Sequence, residues 1–245
     1  KYIFGKRDSI HIIDLTQTLE LTNVALEKVY NTIASNGKIL FISTKKQASE
    51  AIAELAKETD QYFVNHRWLG GMLTNWGTIS GSIKKLKKIE VDLVSENRGF
   101  TKKELLKMSV QRGKLQKSLG GIAEMKKIPD LVFVIDTNYE SLAIKESVKL
   151  GIPIIAILDT NSDPEGIEFP IPGNDDARRS IDLYCSLIQE TIKNAKKAIP
   201  SSVEEKEEKE EKTEKNIKKN VNKDKTLKEI DREKLDAKFA KKKLN

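Results

Sequence analysis

Two aspartates stand where α/β enzymes place their working groups. Asp136 and Asp159 each follow an apolar, β-branched run, at 131–135 and 152–158. That puts both at the carboxyl edge of a parallel sheet, from which such folds present ligands. Asp159 also opens the string Asp159-Thr160-Asn161-Ser162-Asp163-Pro164-Glu165, whose oxygen donors suit a hard cation. Asp and Asn equally cap the turns and helices that follow strands, and this structural role covers every one of these residues. Other routes to catalysis lack their motifs. Ser43-Thr44-Lys45-Lys46 follows an apolar run but has none of the glycines of a phosphate-cradling loop. Neither Gly-x-Gly-x-x-Gly nor Gly-x-Ser-x-Gly occurs. His11, His66 and the single cysteine, Cys185, are too scattered for a zinc site. His66, beside Arg67 and Trp68, fits packing or hydrogen bonding, and Cys185 fits a small core position.

Those aspartates need a sheet to stand on, and the chain supplies one. Apolar runs at 10–13, 38–43, 61–65, 131–135 and 152–158 read as strands. Helical patterns at 14–35, 44–57, 139–150 and 175–197 lie among them. Asp14 is placed to cap the first helix, with Leu15, Leu19, Leu26, Val29 and Ile33 on one face, and Gly151 to end the third. The last helix turns Ile181, Tyr184, Leu187, Ile188 and Ile192 inward. Alternation of this kind predicts an α/β fold, a doubly wound, Rossmann- or flavodoxin-like parallel sheet. With one cysteine there is no internal disulfide, and a reducing compartment fits. No apolar run reaches membrane-spanning length and no signal peptide opens the chain.

Between the third and fourth strands the pattern changes. Ile79, Ile83, Leu86, Ile89 and Leu93 recur at spacings of three and four, as do Leu105, Met108, Leu115 and Leu119, with Arg112 at one seam position. The stretch 95–101, holding Asn97 and Gly99, is the natural turn. This predicts an inserted antiparallel helical hairpin with a coiled-coil-like seam. Its charge is one-sided: residues 67–127 hold 14 Lys/Arg against 5 Asp/Glu, a net of +9. Residues 201–245 carry +3, and the remainder of the chain −5, within a total of +7. A solvated helix pair would mix the signs; an excess of lysines with no aromatic stacking platform suits phosphate and shape recognition of folded RNA. The chain divides into an α/β domain (1–66 and 128–199), the hairpin (67–127) and a Glu/Lys-rich tail (200–245). That tail cannot bury enough apolar area to fold and reads as disordered, apart from a short amphipathic group at Leu227, Ile230, Leu235 and Phe239.

The most distinctive string is Phe63-Val64-Asn65-His66-Arg67-Trp68-Leu69-Gly70-Gly71-Met72-Leu73-Thr74-Asn75-Trp76, which holds both tryptophans. Leu-Gly-Gly returns at 119–121, so the two copies read as paired flexible feet of the hairpin. With Ile10-His11-Ile12-Ile13-Asp14, Gly37-Lys38-Ile39-Leu40-Phe41, Asp159-Thr160-Asn161-Ser162-Asp163-Pro164 and Ile171-Pro172-Gly173-Asn174-Asp175-Asp176, this string closely resembles the bacterial small-subunit ribosomal protein S-two family over roughly residues 1–198.

The resemblance implies a structural, non-enzymatic constituent of the small ribosomal subunit, in the cytoplasm or in an organelle. It implies partners in small-subunit ribosomal RNA and other small-subunit proteins, including the S-one protein, with messenger RNA met only indirectly. Neither a cofactor, a small-molecule substrate nor a membrane is expected. In the family a short basic, aromatic and histidine-containing segment precedes this start, Lys1, and contributes to a reported metal pocket, so no metal is assigned to these residues. Candidate RNA contacts are Lys6, Arg7, Arg67, Asn75, Lys84, Lys85, Lys87, Lys88, Lys102, Lys103, Lys107, Arg112, Lys114 and Lys117. Trp68, Gly70, Gly71, Trp76, Gly120 and Gly121 are the expected anchors. Asp159, Asn161, Asp163, Asn174, Asp175 and Asp176 form a protein-facing loop, on family analogy and acidic character. Two rivals stand beside this reading: an α/β enzyme built on Asp136 and Asp159, and an RNA-binding regulator working outside the ribosome.

Overall fold

A computed structural model describes residues 2–94 and 99–198. Five parallel strands form the central sheet: β3 (Ile39–Ile42), β4 (Tyr62–Val64), β5 (Leu131–Ile135), β6 (Ile154–Leu158) and β7 (Phe169–Pro172), in the order β4-β3-β5-β6-β7. Every residue of β3, β5 and β6 is buried, as expected of strands covered by helices on both faces. On one face Leu40, Ile42, Val132, Val134, Ile154 and Ala156 pack against Trp68, Met72, Leu73, Leu119 and Ile122. The alternate residues point the other way, and there Phe41 and Phe133 meet edge to face at 5.6 Å. The helices are α1 (Leu15–Ala34), α2 (Lys46–Glu58), α3 (Trp76–Val94), α4 (Lys102–Leu119), α5 (Ser141–Leu150) and α6 (Arg178–Ala198). Among the described residues no helix is long and apolar enough to cross a membrane.

The fifth strand of the sheet is β7, and 10–13 is not part of the sheet. Those residues form β2 (Ile10–Ile13), which pairs antiparallel with β1 (Ile3–Arg7) through a tight turn at Asp8 and Ser9, and Ile10 and Ile12 are exposed. Two prolines, Pro170 and Pro172, disguise β7. Gly173 donates its amide to the Leu158 carbonyl (2.8 Å), so the odd-numbered residues face β6 and the prolines sit where no amide is needed. The outward Pro172 carbonyl accepts from the Thr18 hydroxyl at 2.7 Å.

That contact explains a second difference. Asp14 caps α1 by accepting from the Thr16 amide at 3.0 Å, as the sequence predicts. The buried face, however, is Thr18, Thr22, Ala25, Val29 and Ile33, while Leu15 and Leu19 are 72% and 64% exposed. Small side chains let the first turns lie close on the edge strand, and the leucines are turned outward.

Helices α3 and α4 form the antiparallel hairpin between β4 and β5. The seam is lopsided. Ile79, Ile83, Leu86 and Ile89 of α3 are buried, whereas α4 buries only Leu119 fully; Leu105 and Arg112 are exposed. Thr101 and Glu104 start α4 with reciprocal side-chain to backbone hydrogen bonds. Residues 95–98 of the turn expected at 95–101, and the expectations for the tail and for Leu227, Ile230, Leu235 and Phe239, fall outside the described residues.

Candidate nucleic-acid interface

The hairpin presents its cations to solvent. Lys84, Lys85, Lys87 and Lys88 line one helix, and Lys102, Lys103, Lys107, Arg112, Lys114 and Lys117 the other, all exposed. Lys87 also pairs with Glu124 at 2.9 Å. Lys6 and Arg7 lie on β1, apart from the hairpin in sequence and exposed. Arg67 and Asn75 are exposed at the hairpin's root, where the Asn75 side-chain oxygen accepts from the Thr78 hydroxyl at 3.0 Å. His66, expected to pack or hydrogen-bond, is exposed.

The root itself is held by a residue the sequence reading passed over. Glu146 of α5, 6% exposed, accepts five hydrogen bonds from the segment 68–74. One carboxylate oxygen takes the Trp68 indole N–H (3.1 Å) and the Gly71 amide (2.8 Å). The other takes the Leu73 and Thr74 amides and the Thr74 hydroxyl, each at 3.0 Å. Burial works against the charged carboxylate, but these donors outweigh it and hold Glu146 below the ordinary glutamate value. Within Ile144-Lys145-Glu146-Ser147 a glutamate reads as solvent-facing, so nothing local announces this role.

Around that carboxylate the expected anchors sort themselves. Trp68 is buried and Trp76 packs partly buried against the same core. Gly71 adopts φ +81°, a left-handed conformation suited to glycine. At Gly121 an added Cβ would lie 2.0 Å from the Phe63 carbonyl oxygen, so the returning chain presses directly on β4. Gly70 and Gly120 meet only side-chain atoms. The second Leu-Gly-Gly foot is closely packed, with Leu119 and Ile122 fully buried.

At the carboxyl edge of the sheet the structure gathers the other candidates around Lys45. Its ammonium reaches Asp136 at 3.2 Å, Asp175 at 2.9 Å and Asp176 at 2.5 Å. Burial disfavours this charge, yet the bonds to Asp176, Asp175 and Asp136 raise the Lys45 pKa. Asp136, at φ +67°, also accepts from the Asn138 and Tyr139 amides at 3.1 Å, the capping role allowed for it. Beside it Glu140, its pKa raised by burial, accepts from both the amide and the hydroxyl of Thr44 at 2.6 Å. Side chains following β3 and β5 thus bond to one another at the crevice where a doubly wound sheet would admit a ligand.

Asp159 joins Asp175 and Asp176 with carboxylate oxygens within 4.8 Å of one another, a spacing that suits a divalent cation. Lys45 already engages two of the three. Of the loop expected to face proteins, Asn161, Asp163, Asn174 and Asp176 are exposed and Asp159 half-buried. Asp175, only 3% exposed, turns inward to Lys45, and burial raises its pKa. Cys185 is buried, which pushes its thiol up to about 12 and away from nucleophilic chemistry. Lys45 was legible only as the residue after a buried run; its partners follow two other strands, Asp136 after β5 and Asp175 and Asp176 after β7.

Comparison with known proteins matches residues 1–195 to the family model described as ribosomal protein S2. Among curated relatives, the small ribosomal subunit protein uS2 of Gluconacetobacter diazotrophicus is 56% identical over 191 residues, covering 78% of this chain and 74% of the relative. That of Rickettsia bellii is 59% identical over 191 residues, 77% of this chain and 66% of the relative. That of Zymomonas mobilis is 58% identical over 189 residues, 77% and 76% respectively. The chain thus spans about two thirds to three quarters of the length of these relatives. With identities this high over nearly the whole described fold, the chain belongs to the ribosomal protein S2 family of the small ribosomal subunit.

Proposed function

We propose that the protein is a structural constituent of the small subunit whose hairpin neutralises ribosomal RNA phosphates while its α/β body meets neighbouring proteins. The observation that carries this is the hairpin's charge, 14 cations against 5 anions over residues 67–127, on exposed helix faces rooted by Glu146. Lys84, Lys85, Lys87, Lys88 and the cations of α4 supply phosphate contacts, and Arg67 and Asn75 add to them at the root. Lys6 and Arg7 form a smaller second contact. Asn161, Asp163, Asn174 and Asp176 take the protein-facing role, which extends by family analogy to docking the S-one protein, so that messenger RNA is met only indirectly. The setting is the ribosome, in the cytoplasm for a bacterial chain. An enzymatic role for Asp136 and Asp159 is disfavoured because Lys45 and Glu140 occupy the ligand crevice.

The test is removal of the hairpin, residues 78–118, followed by sedimentation with small subunits at raised salt. The shortened chain, shown folded by circular dichroism, is expected to lose co-sedimentation. Retention equal to that of the intact chain would contradict the charge argument, and retention of RNA binding without any ribosomal association would favour the extra-ribosomal regulator.

A further inference from the structure

Beside α5 lies a cleft of about 490 Å³ that shares only Asp163 with the roles above. Ile144 and Val148 form its apolar floor. Lys145 and Lys149 stand along the helix side, and Asp163 and Glu165 on the facing loop. Gly166 lets that loop come close: a Cβ there would approach a Val148 methyl to 3.2 Å. Thr137, at the helix entrance, lines the cleft, and its buried hydroxyl has no partner among the described residues.

Two lysines against two carboxylates make this a balanced site. A nucleic-acid strand gains from every cation it meets, and here each gain is opposed by an acid across the cleft. The charge of the whole chain points the same way, because the parts outside the hairpin and tail are net −5. An apolar centre with a rim of both signs is the anatomy of a protein–protein contact.

We propose that this cleft is a docking groove for a peptide segment of a neighbouring small-subunit protein. The segment seats an apolar side chain on Ile144 and Val148, sets a carboxylate against Lys145 and Lys149, and sets a cation against Asp163 and Glu165. The proposal rests on the ribosomal reading above and adds to it the place and chemistry of one protein contact.

The experiment uses the full chain carrying p-benzoylphenylalanine at position 148, assembled into small subunits and irradiated, with the adduct sequenced by mass spectrometry. The expected adduct is a peptide of another subunit protein, apolar with both charge signs flanking. Combining the substitutions Lys145→Glu and Lys149→Glu should lower its yield at least tenfold without changing incorporation of the chain. An RNA adduct, no adduct, an adduct to residues 199–245 of the same chain, or a yield unmoved by charge reversal would overturn the groove alone. Failure of the unsubstituted chain to enter subunits would overturn the ribosomal reading, and this proposal with it.

Discussion

Two charges, buried Glu146 and half-buried Lys45, organise this molecule, and they do opposite things. Glu146 is a lone carboxylate met by neutral donors, three backbone amides, an indole and a hydroxyl, all from the loop that starts the hairpin. Lys45 is a lone ammonium met by three carboxylates, Asp136 from the end of β5 and Asp175 and Asp176 from the loop after β7. The first ties an insertion to the body; the second closes the edge of the sheet on itself. Glu146, surrounded by dipoles, positions backbone, whereas Lys45, surrounded by countercharges, holds carboxylates from β5 and the loop after β7 together. The chain therefore directs its outward electrostatics through the hairpin and not through the sheet edge.

The largest effect is expected at Glu146. Glu146→Ala leaves buried amides and an indole N–H unpaired and should cost about 3–5 kcal/mol in urea unfolding, by analogy with breaking a buried charged network. Lys45→Met should cost about 2–4 kcal/mol at neutral pH, because Asp136 and Asp175 then face one another uncompensated. The deficit should shrink as pH falls, since burial already raises the Asp175 pKa and its protonation removes the repulsion; a deficit independent of pH would break the comparison. Gly121→Ala drives a methyl toward the Phe63 carbonyl and should cost about 1–3 kcal/mol. The smallest effect is the titration of Glu146 itself. Its folded value is depressed, so its contribution is complete above the unfolded value of about 4.5 and is lost as pH falls through the folded value. Indole N–H exchange or chemical shift of Trp68 should report that loss, and no acid transition there would count against the assignment.

Much of this architecture was legible. Continuous apolar runs gave β3, β5 and β6 directly, because a strand buried on both faces has no polar alternation to lose. The hairpin showed in spacing and charge. Failures came where tertiary context reversed a local signal. Pro170 and Pro172 argue against a strand until β7 is known to be an edge. Ile10-His11-Ile12-Ile13 looks buried until its only partner proves to be β1. Leu15 and Leu19 have the right period but lie off the packed face, which Thr18 sets through Pro172. The two organising charges were the least legible, since their partners lie 72 to 78 residues away for Glu146 and 91 to 131 for Lys45.

The central claim is that the hairpin lysines, and not the sheet edge, meet RNA phosphates. Its most direct test is the salt dependence of binding of the full chain to small-subunit ribosomal RNA. Replacing Lys84, Lys85, Lys87 and Lys88 by Gln should reduce the slope of log affinity against log salt by about 3, at roughly 0.7–0.9 per phosphate contact. Asp159→Asn with Asp176→Asn should leave that slope unchanged. An unaltered slope in the lysine variant would contradict the account.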